Sequence, residues 1–166
     1  MDQLNVVSLA QAKLWLRLDE DYEYEDGLIT ALIKSAVNQV EQYTLQVLWQ
    51  RSIIEITDRS GNLKIYNYPI ISVEDVVDKY IEDVNFELVE TQWYTEVITD
   101  RPGYNAVTYV AGYDWDYNGG SDVPDDIETA IKELITFLYE NRDNPKEEMP
   151  KVVTYLLAPY KRITLF

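Results

Sequence analysis

Apolar side chains recur at helical spacing in four segments of the chain. The strongest pattern runs from about residue 25 to 44, where Leu28, Leu32, Ala36 and Val40 form one stripe beside a second stripe of isoleucine and valine. This segment is the best predicted helix of the chain.

The other three predicted helices are shorter. One is expected at about 8–18, because Ser8 and Gln11 can form a capping box ahead of Leu9, Ala12 and Leu16. The other two are expected at about 123–143 and 150–159, and each opens at a proline that suits a first helical turn.

In the middle third of the chain the spacing of apolar residues changes from a helical period to the alternation of β-strands. Arg51 to Thr57 alternates, with Ile54 and Ile56 as its apolar positions, and Val73 to Ile81 is also predicted as a strand. Turn residues separate these runs from similar short ones near 63–66, 86–89, 93–98 and 107–110. The predicted fold is α+β: mainly a helical bundle of about four helices, with a small antiparallel β insertion at about 48–113. We expect residues 1–160 to form a single domain.

Charge and composition narrow the possible functions. The chain has 14 basic and 30 acidic residues, a net charge of −16, so its surface should repel phosphate backbones. Such a surface suits either simple solubility or a conduit through which DNA passes without sticking. Cysteine and histidine are both absent, which removes thiolate and imidazole chemistry and nearly all zinc sites. No spacing singles out a carboxylate pair, and we expect no enzymatic activity.

No signal for a membrane location is present. The chain has no apolar run long enough to cross a bilayer, and Met1 is followed by Asp2, Gln3 and Leu4, where a signal peptide would have a basic segment. We therefore expect synthesis in the cytoplasm and no membrane partner.

Two sets of residues resemble a known family. The first is Leu9, Ala12-Lys13 and Leu16-Arg17, followed by the acidic stretch 19–26 and a long helix that ends in Glu41-Gln42-Tyr43-Thr44. The second is Val107–Tyr113 with Val123-Pro124, Leu138–Arg142 and Leu156–Tyr160. Together they are similar to the longer, β-containing branch of phage head–tail connector (adaptor) proteins. Leu45 stands where that family usually has glycine, and Tyr160-Lys161 replaces the usual arginine after the final proline.

The resemblance carries definite implications. It implies a helical core with a β insertion, assembled as a dodecameric ring in the neck of the virion, with no cofactor and no catalysis. It implies the portal protein on the head side and a stopper or tail-completion protein on the other side. Double-stranded DNA would pass through the ring during packaging and ejection without sequence-specific binding.

Two segments are candidate contact sites. The C-terminal tail, residues 161–166, is basic and then apolar, and family members are expected to contact the portal through this part; its candidate docking residues are Lys161, Arg162, Ile163, Leu165 and Phe166. The second segment is an acidic loop that could line the channel or face the next ring, or could be a solvated loop that caps a helix. Its residues are Asp19, Glu20, Asp21, Glu23, Glu25 and Asp26.

A third segment supports an alternative function. Asp114, Asp116, Asn118 and Asp125 have nearly the spacing of an EF-hand calcium loop, which would make the chain a calcium-dependent protein-binding module. However, a strand precedes the loop where an EF-hand has a helix, and Pro124 constrains its end. A plain connection between strand and helix is the favoured interpretation.

Overall fold

The helices and strands follow the periodicity of the chain. The computed structural model describes residues 3–57, 63–78, 80, 82–91, 94–100, 103, 105–114, 122–142 and 148–162. Its helices are α1 (Leu9–Trp15), α2 (Asp26–Thr44), α3 (Asp125–Glu140) and α4 (Lys151–Leu157), with 3-10 turns at Gln3–Asn5 and Ala158–Tyr160. Its strands are β1 (Arg51–Thr57), β2 (Leu63–Ile65), β3 (Ile70–Asp78), β4 (Phe86–Glu90), β5 (Thr95–Thr99) and β6 (Asn105–Ala111). The predicted α+β class, four helices with a β insertion between them, is confirmed.

The helices pack around one apolar core. α2 buries the stripe that contains Ile29, Ile33 and Val37, while α3 buries Ile127 and Ile131 against it. At about 25 cal/mol per Å² of apolar surface removed from water, this burial is the main favourable term for the helical part.

The helix ends differ from the sequence expectation by a few residues. α1 begins directly after its N-cap, Ser8, and the predicted capping box is present: the Gln11 N–H donates to the Ser8 hydroxyl, and the Ser8 N–H donates to the Gln11 side chain. It ends at Trp15 because the chain turns at Leu16 and Arg17, and Arg17 adopts a left-handed conformation with φ +59°.

The β insertion consists of two three-stranded antiparallel sheets, one with the order β1-β6-β3 and the other with the order β2-β5-β4. The sheets share a second apolar core, which contains Ile65 and Val97 from one sheet and Val107 and Tyr109 from the other. β6 is the central strand of its sheet and alternates strictly between buried and half-buried positions.

β1 faces the opposite way from the sequence interpretation. Ile54 and Ile56 are 65% and 58% exposed, whereas Ile53 packs towards the second core and the Glu55 carboxylate accepts a hydrogen bond from the buried Tyr109 hydroxyl. The partner of Glu55 lies on β6, 54 residues away, so the alternation of β1 alone could not indicate which face is buried.

β3 begins three residues earlier than predicted. It follows the cis Tyr68–Pro69 peptide and has irregular register with β6 between Ile70 and Ser72 and between Val73 and Asp75. Such bulges add residues to one strand and break the period of two, which is why the pattern did not mark the start of this strand.

The end of α2 places a leucine in a conformation that favours glycine. Leu45 follows Thr44 with φ +56° and ψ +38°, and its N–H donates to the Glu41 carbonyl at 2.8 Å. This is the position at which the resembled family usually has glycine. A non-glycine residue in this left-handed region costs about 1–2 kcal/mol.

We expect Leu45→Gly to be more stable than Leu45→Ala by about 1 kcal/mol, because both variants lose the same half-exposed side chain and only glycine relieves the strained backbone. Urea denaturation of the two variants measures this difference. Inside a regular helix alanine is the more stable of the two residues, so an advantage for Leu45→Ala would contradict a left-handed Leu45.

Candidate functional site

The acidic loop presents four of its six carboxylates to solvent. Asp19, Glu20, Asp21 and Glu23 are exposed, whereas Glu25 and Asp26 are partly buried where the loop joins α2. The first four therefore form an open negative surface, and the last two make contacts within the subunit.

Lys13 holds the loop from the side of α1. Its side chain is buried, with Nζ 2.6 Å from Asp26 Oδ1 and donating to the Glu20 carbonyl at 3.0 Å. A buried ammonium requires such partners, since an unpaired charge in this position is costly. Lys13 is also the lysine of the Ala-Lys pair in the family signature, which gives that signature a structural role here.

The end of α3 holds the same loop from the other side. The Tyr139 hydroxyl donates to Glu25 Oε2, and Arg142 Nη1 donates to Glu25 Oε1 at 3.2 Å. The hydrogen bond from Tyr139 and the Arg142 guanidinium hold the pKa of Glu25 below its ordinary value, and the same hydrogen bond raises the pKa of Tyr139. The Arg142 guanidinium also lies over the Tyr139 ring, at 4.2 Å from its centroid. The loop thus leaves the body between two fixed points.

The first two residues of the C-terminal tail contact the body of the subunit. The Lys161 ammonium lies 4.6 Å from the centroid of the Tyr43 ring, and the Arg162 guanidinium lies 4.0 Å from that of Tyr68. The Arg162 N–H donates to the Thr44 carbonyl at 2.9 Å. The other predicted docking residues, Ile163, Leu165 and Phe166, lie outside the described residues, so portal docking by the tail stays a prediction.

The predicted calcium loop is described only at its ends. Asp114 and Asp125 are described, and the Asp114 carbonyl accepts a hydrogen bond from the Asp122 N–H at 3.1 Å, while Asp116 and Asn118 lie outside the described residues. Within the described part of the chain, no three Asp or Glu residues are grouped so that they could hold a metal ion.

The sequence interpretation missed exposed apolar surface on three elements. On α1, Leu14 is 79% exposed and borders with Trp15 a groove of about 610 Å³ towards α3. On α4, Tyr155 is 81% exposed, and all five positions of the edge strand β4 are exposed. Leu14 and Trp15 lie off the apolar stripe of their helix, and that displacement was the available signal. Surfaces of this kind suit contact with other protein.

None of the helices in the described segments is both long and apolar enough to span a lipid bilayer.

Comparison with known proteins gives one family and one fold. The sequence-family model of the phage gp6-like head-tail connector proteins matches residues 6–89 of this chain. Comparison with curated proteins finds no match to this sequence.

Solved structures match almost the whole chain. A chain from the neck of an empty gene transfer agent (GTA) particle, computed with C6 symmetry, superposes with a TM-score of 0.77 at 18% identity, covering 97% of this chain and 92% of that one. A chain from the virion of a native GTA particle gives a TM-score of 0.76 at 17% identity, covering 100% of this chain and 94% of that one. A chain from the neck of the native GTA particle, computed with C12 symmetry, gives a TM-score of 0.71 at 16% identity, covering 97% of this chain and 93% of that one.

At these identities the solved structures establish a shared fold. The family model spans 84 of the 166 residues, just over half of the chain, and includes α1, the acidic loop, α2 and the strands up to β4. This chain belongs to the phage gp6-like head–tail connector family.

Proposed function

We propose that this chain is a non-enzymatic structural subunit of the neck of a tailed double-stranded DNA phage particle. It acts as one copy in a ring, expected to be a dodecamer, between the portal protein and a stopper or tail-completion protein. The observation that carries the proposal is membership of the head–tail connector family together with a whole-chain fold shared with subunits of symmetric particle necks.

Exposed apolar side chains support assembly. Leu14 and Trp15 on α1, Ile54 and Ile56 on β1, and Tyr155 on α4 lie on separate parts of one subunit. A ring subunit needs at least two different contact surfaces for its neighbours and further ones for the proteins above and below it. Distributed apolar surface fits that requirement better than one compact patch would.

The charge supports the role of a DNA conduit. With a net charge of −16 and an open group of four carboxylates at Asp19–Glu23, the subunit has little attraction for a phosphate backbone. We propose that this loop faces the channel or the adjoining ring, and that passing DNA is not bound by sequence.

The portal protein of the same genome provides the test. Full-length chain is mixed with assembled portal, recovered by pull-down and imaged by electron microscopy. We expect a ring of this chain on the portal, with residues from 163 onward in contact with it and with the Asp19–Glu23 loop at the lumen or at the ring face.

Two results would count against the proposal. If folded full-length chain does not decorate the portal, the connector role loses its support. If the ring forms but the Asp19–Glu23 loop lies on its outer surface, the ring stands and the proposed place of the loop is wrong.

A further inference from the structure

We propose that Lys161 and Arg162 are positioning residues that hold the start of the docking tail on the body of the subunit, and that portal contact begins at residue 163. This inference rests on the proposed function, in which the tail meets the portal. It assigns to these two residues a role other than the contact role predicted from the sequence.

The backbone of the segment is fixed at the end of α2. The Arg162 N–H donates at 2.9 Å to the carbonyl of Thr44, the last residue of that helix. Carbonyls in the last turn of a helix have no partner within the helix, and Thr44 is fully buried, so this hydrogen bond satisfies a group that water does not reach.

The two basic side chains stack on rings from both halves of the subunit. Tyr43, under Lys161, lies on α2, whereas Tyr68, under Arg162, lies between β2 and β3. A cation over an aromatic face is attracted by the ring quadrupole. The segment therefore crosses the junction between the helices and the β insertion and contacts both.

The residue before this pair is also fixed. Gln46 is buried, and its Nε2 donates to the Tyr160 carbonyl at 2.6 Å while its Oε1 accepts from the Tyr113 hydroxyl at 2.6 Å. The Tyr160 hydroxyl donates to Asp126 Oδ2 at 3.3 Å. Residues 160–162 thus contact α2, α3, the segment after α2 and, through Tyr68, the β insertion.

We call this arrangement the tail clamp: residues 160–162 with Tyr43, Thr44, Gln46 and Tyr68. Arg162 is partly buried by its contacts, and to meet a partner directly it would have to leave the Tyr68 ring. When Arg162 stays on this ring, the residues that follow it are already restricted in conformation before docking. They therefore lose less conformational entropy on binding, and binding is stronger without an added contact.

The test compares four proteins with the wild type: a truncation after Arg162, Arg162→Ala, the double variant Lys161→Ala/Arg162→Ala, and Lys151→Ala. Lys151 is an exposed lysine on α4, so its variant is the control for the loss of one positive charge. Each is titrated against the immobilised portal assembly, and hydrogen exchange is measured at residues 160–162 and in α2.

We expect the truncation to lose portal binding and to keep slow exchange at residues 160–162. Arg162→Ala should weaken binding about five-fold and the double variant about ten-fold or more, with faster exchange at residues 160–162 in both. Lys151→Ala should match the wild type. Unchanged exchange in α2 shows that each variant is folded.

The possible failures are distinguishable. If the truncation binds as tightly as the wild type, the tail does not dock, and both the docking role and this inference fall. If the truncation loses binding but the double variant binds normally, docking stands and the clamp is overturned. If Arg162→Ala loses binding as completely as the truncation while exchange at 160–162 stays slow, Arg162 is a direct portal contact and the inference is wrong.

Discussion

Gly112→Ala is expected to destabilise the protein by about 3 kcal/mol or more, which is a large part of the roughly 5–15 kcal/mol by which a folded domain is stable. Gly112 has φ +123°, a conformation that L residues rarely adopt. A Cβ built there lies 2.6 Å from both the carbonyl carbon and oxygen of Trp49 and 2.7 Å from the Cα of Gln50. These are backbone atoms, so the clash cannot be relieved by a side-chain rotation.

Two other glycines separate the causes of this effect. Gly103 has φ +130° but open space around it, so Gly103→Ala should show backbone strain alone, at about 1–2 kcal/mol. Gly27 lies in the first turn of α2 with nothing within 4 Å, so Gly27→Ala should stabilise by up to about 0.5–1 kcal/mol.

Thermal and urea unfolding measure the stability of the three alanine variants, which is expected to fall in the order Gly27→Ala, Gly103→Ala, Gly112→Ala. Similar losses for Gly112→Ala and Gly103→Ala would show that the approach of Trp49 is not tight, and the packing described for this junction would be incorrect.

The position of Gly112 explains why so much depends on it. Its N–H donates to the Pro69 carbonyl at 2.9 Å, and the neighbouring Val47 N–H donates to the Tyr68 carbonyl at 2.8 Å. The chain leaves β6 here and passes directly against the segment that enters β1. This crossing, with the tail clamp beside it, sets how the β insertion lies on the helices.

The sequence predicted the elements that local patterns determine. The apolar stripes of α2 and α3 are sufficient to predict these helices. A helix that buries Ile29 and Ile33, or Ile127 and Ile131, shows a period of 3.6 residues whichever element it packs against. The acidic loop and the basic tail were identified for the same reason, since both are continuous in sequence.

Features that depend on distant pairs were not predictable. The face that β1 buries depends on the hydrogen bond between Glu55 and Tyr109. The tail clamp depends on the contact of Arg162 with the Tyr68 ring, 94 residues away. Lys13 lies off the apolar stripe predicted for α1, which is Leu9, Ala12 and Leu16, yet the structure buries it. A single lysine four residues before Arg17 gives no local sign that it will pair with an acidic loop.

Lys13→Met is the second large effect we expect, with a loss of about 2–3 kcal/mol of stability. Methionine keeps most of the buried stem but removes the ammonium, which leaves the Asp26 carboxylate without its cation and the Glu20 carbonyl without its donor. The loss should lie below that of a fully buried pair because the Asp26 side chain is about a third exposed, at 31%.

The matched control is Lys34→Met, since Lys34 is exposed on α2 and its replacement should change stability by no more than about 0.5 kcal/mol. A double-mutant cycle with Asp26→Asn isolates the pair: neutralising the carboxylate should recover part of the loss, with a coupling of about 1–2 kcal/mol. Additive effects of the two substitutions would mean that the Lys13 ammonium does not contribute through Asp26, and that its loss acts through the Glu20 carbonyl or through packing.

The same variant tests whether the acidic loop is held or free. With Lys13 replaced, Glu25 still contacts Tyr139 and Arg142, but the segment from Asp19 to Glu23 loses its contact with α1. Four neighbouring carboxylates then repel one another without a fixed backbone, so hydrogen exchange across residues 19–24 should become faster while exchange in α3 is unchanged. Slow exchange in both the wild type and Lys13→Met would show that the contacts at α3 alone fix the loop, and the negative surface proposed for the DNA path would not depend on Lys13.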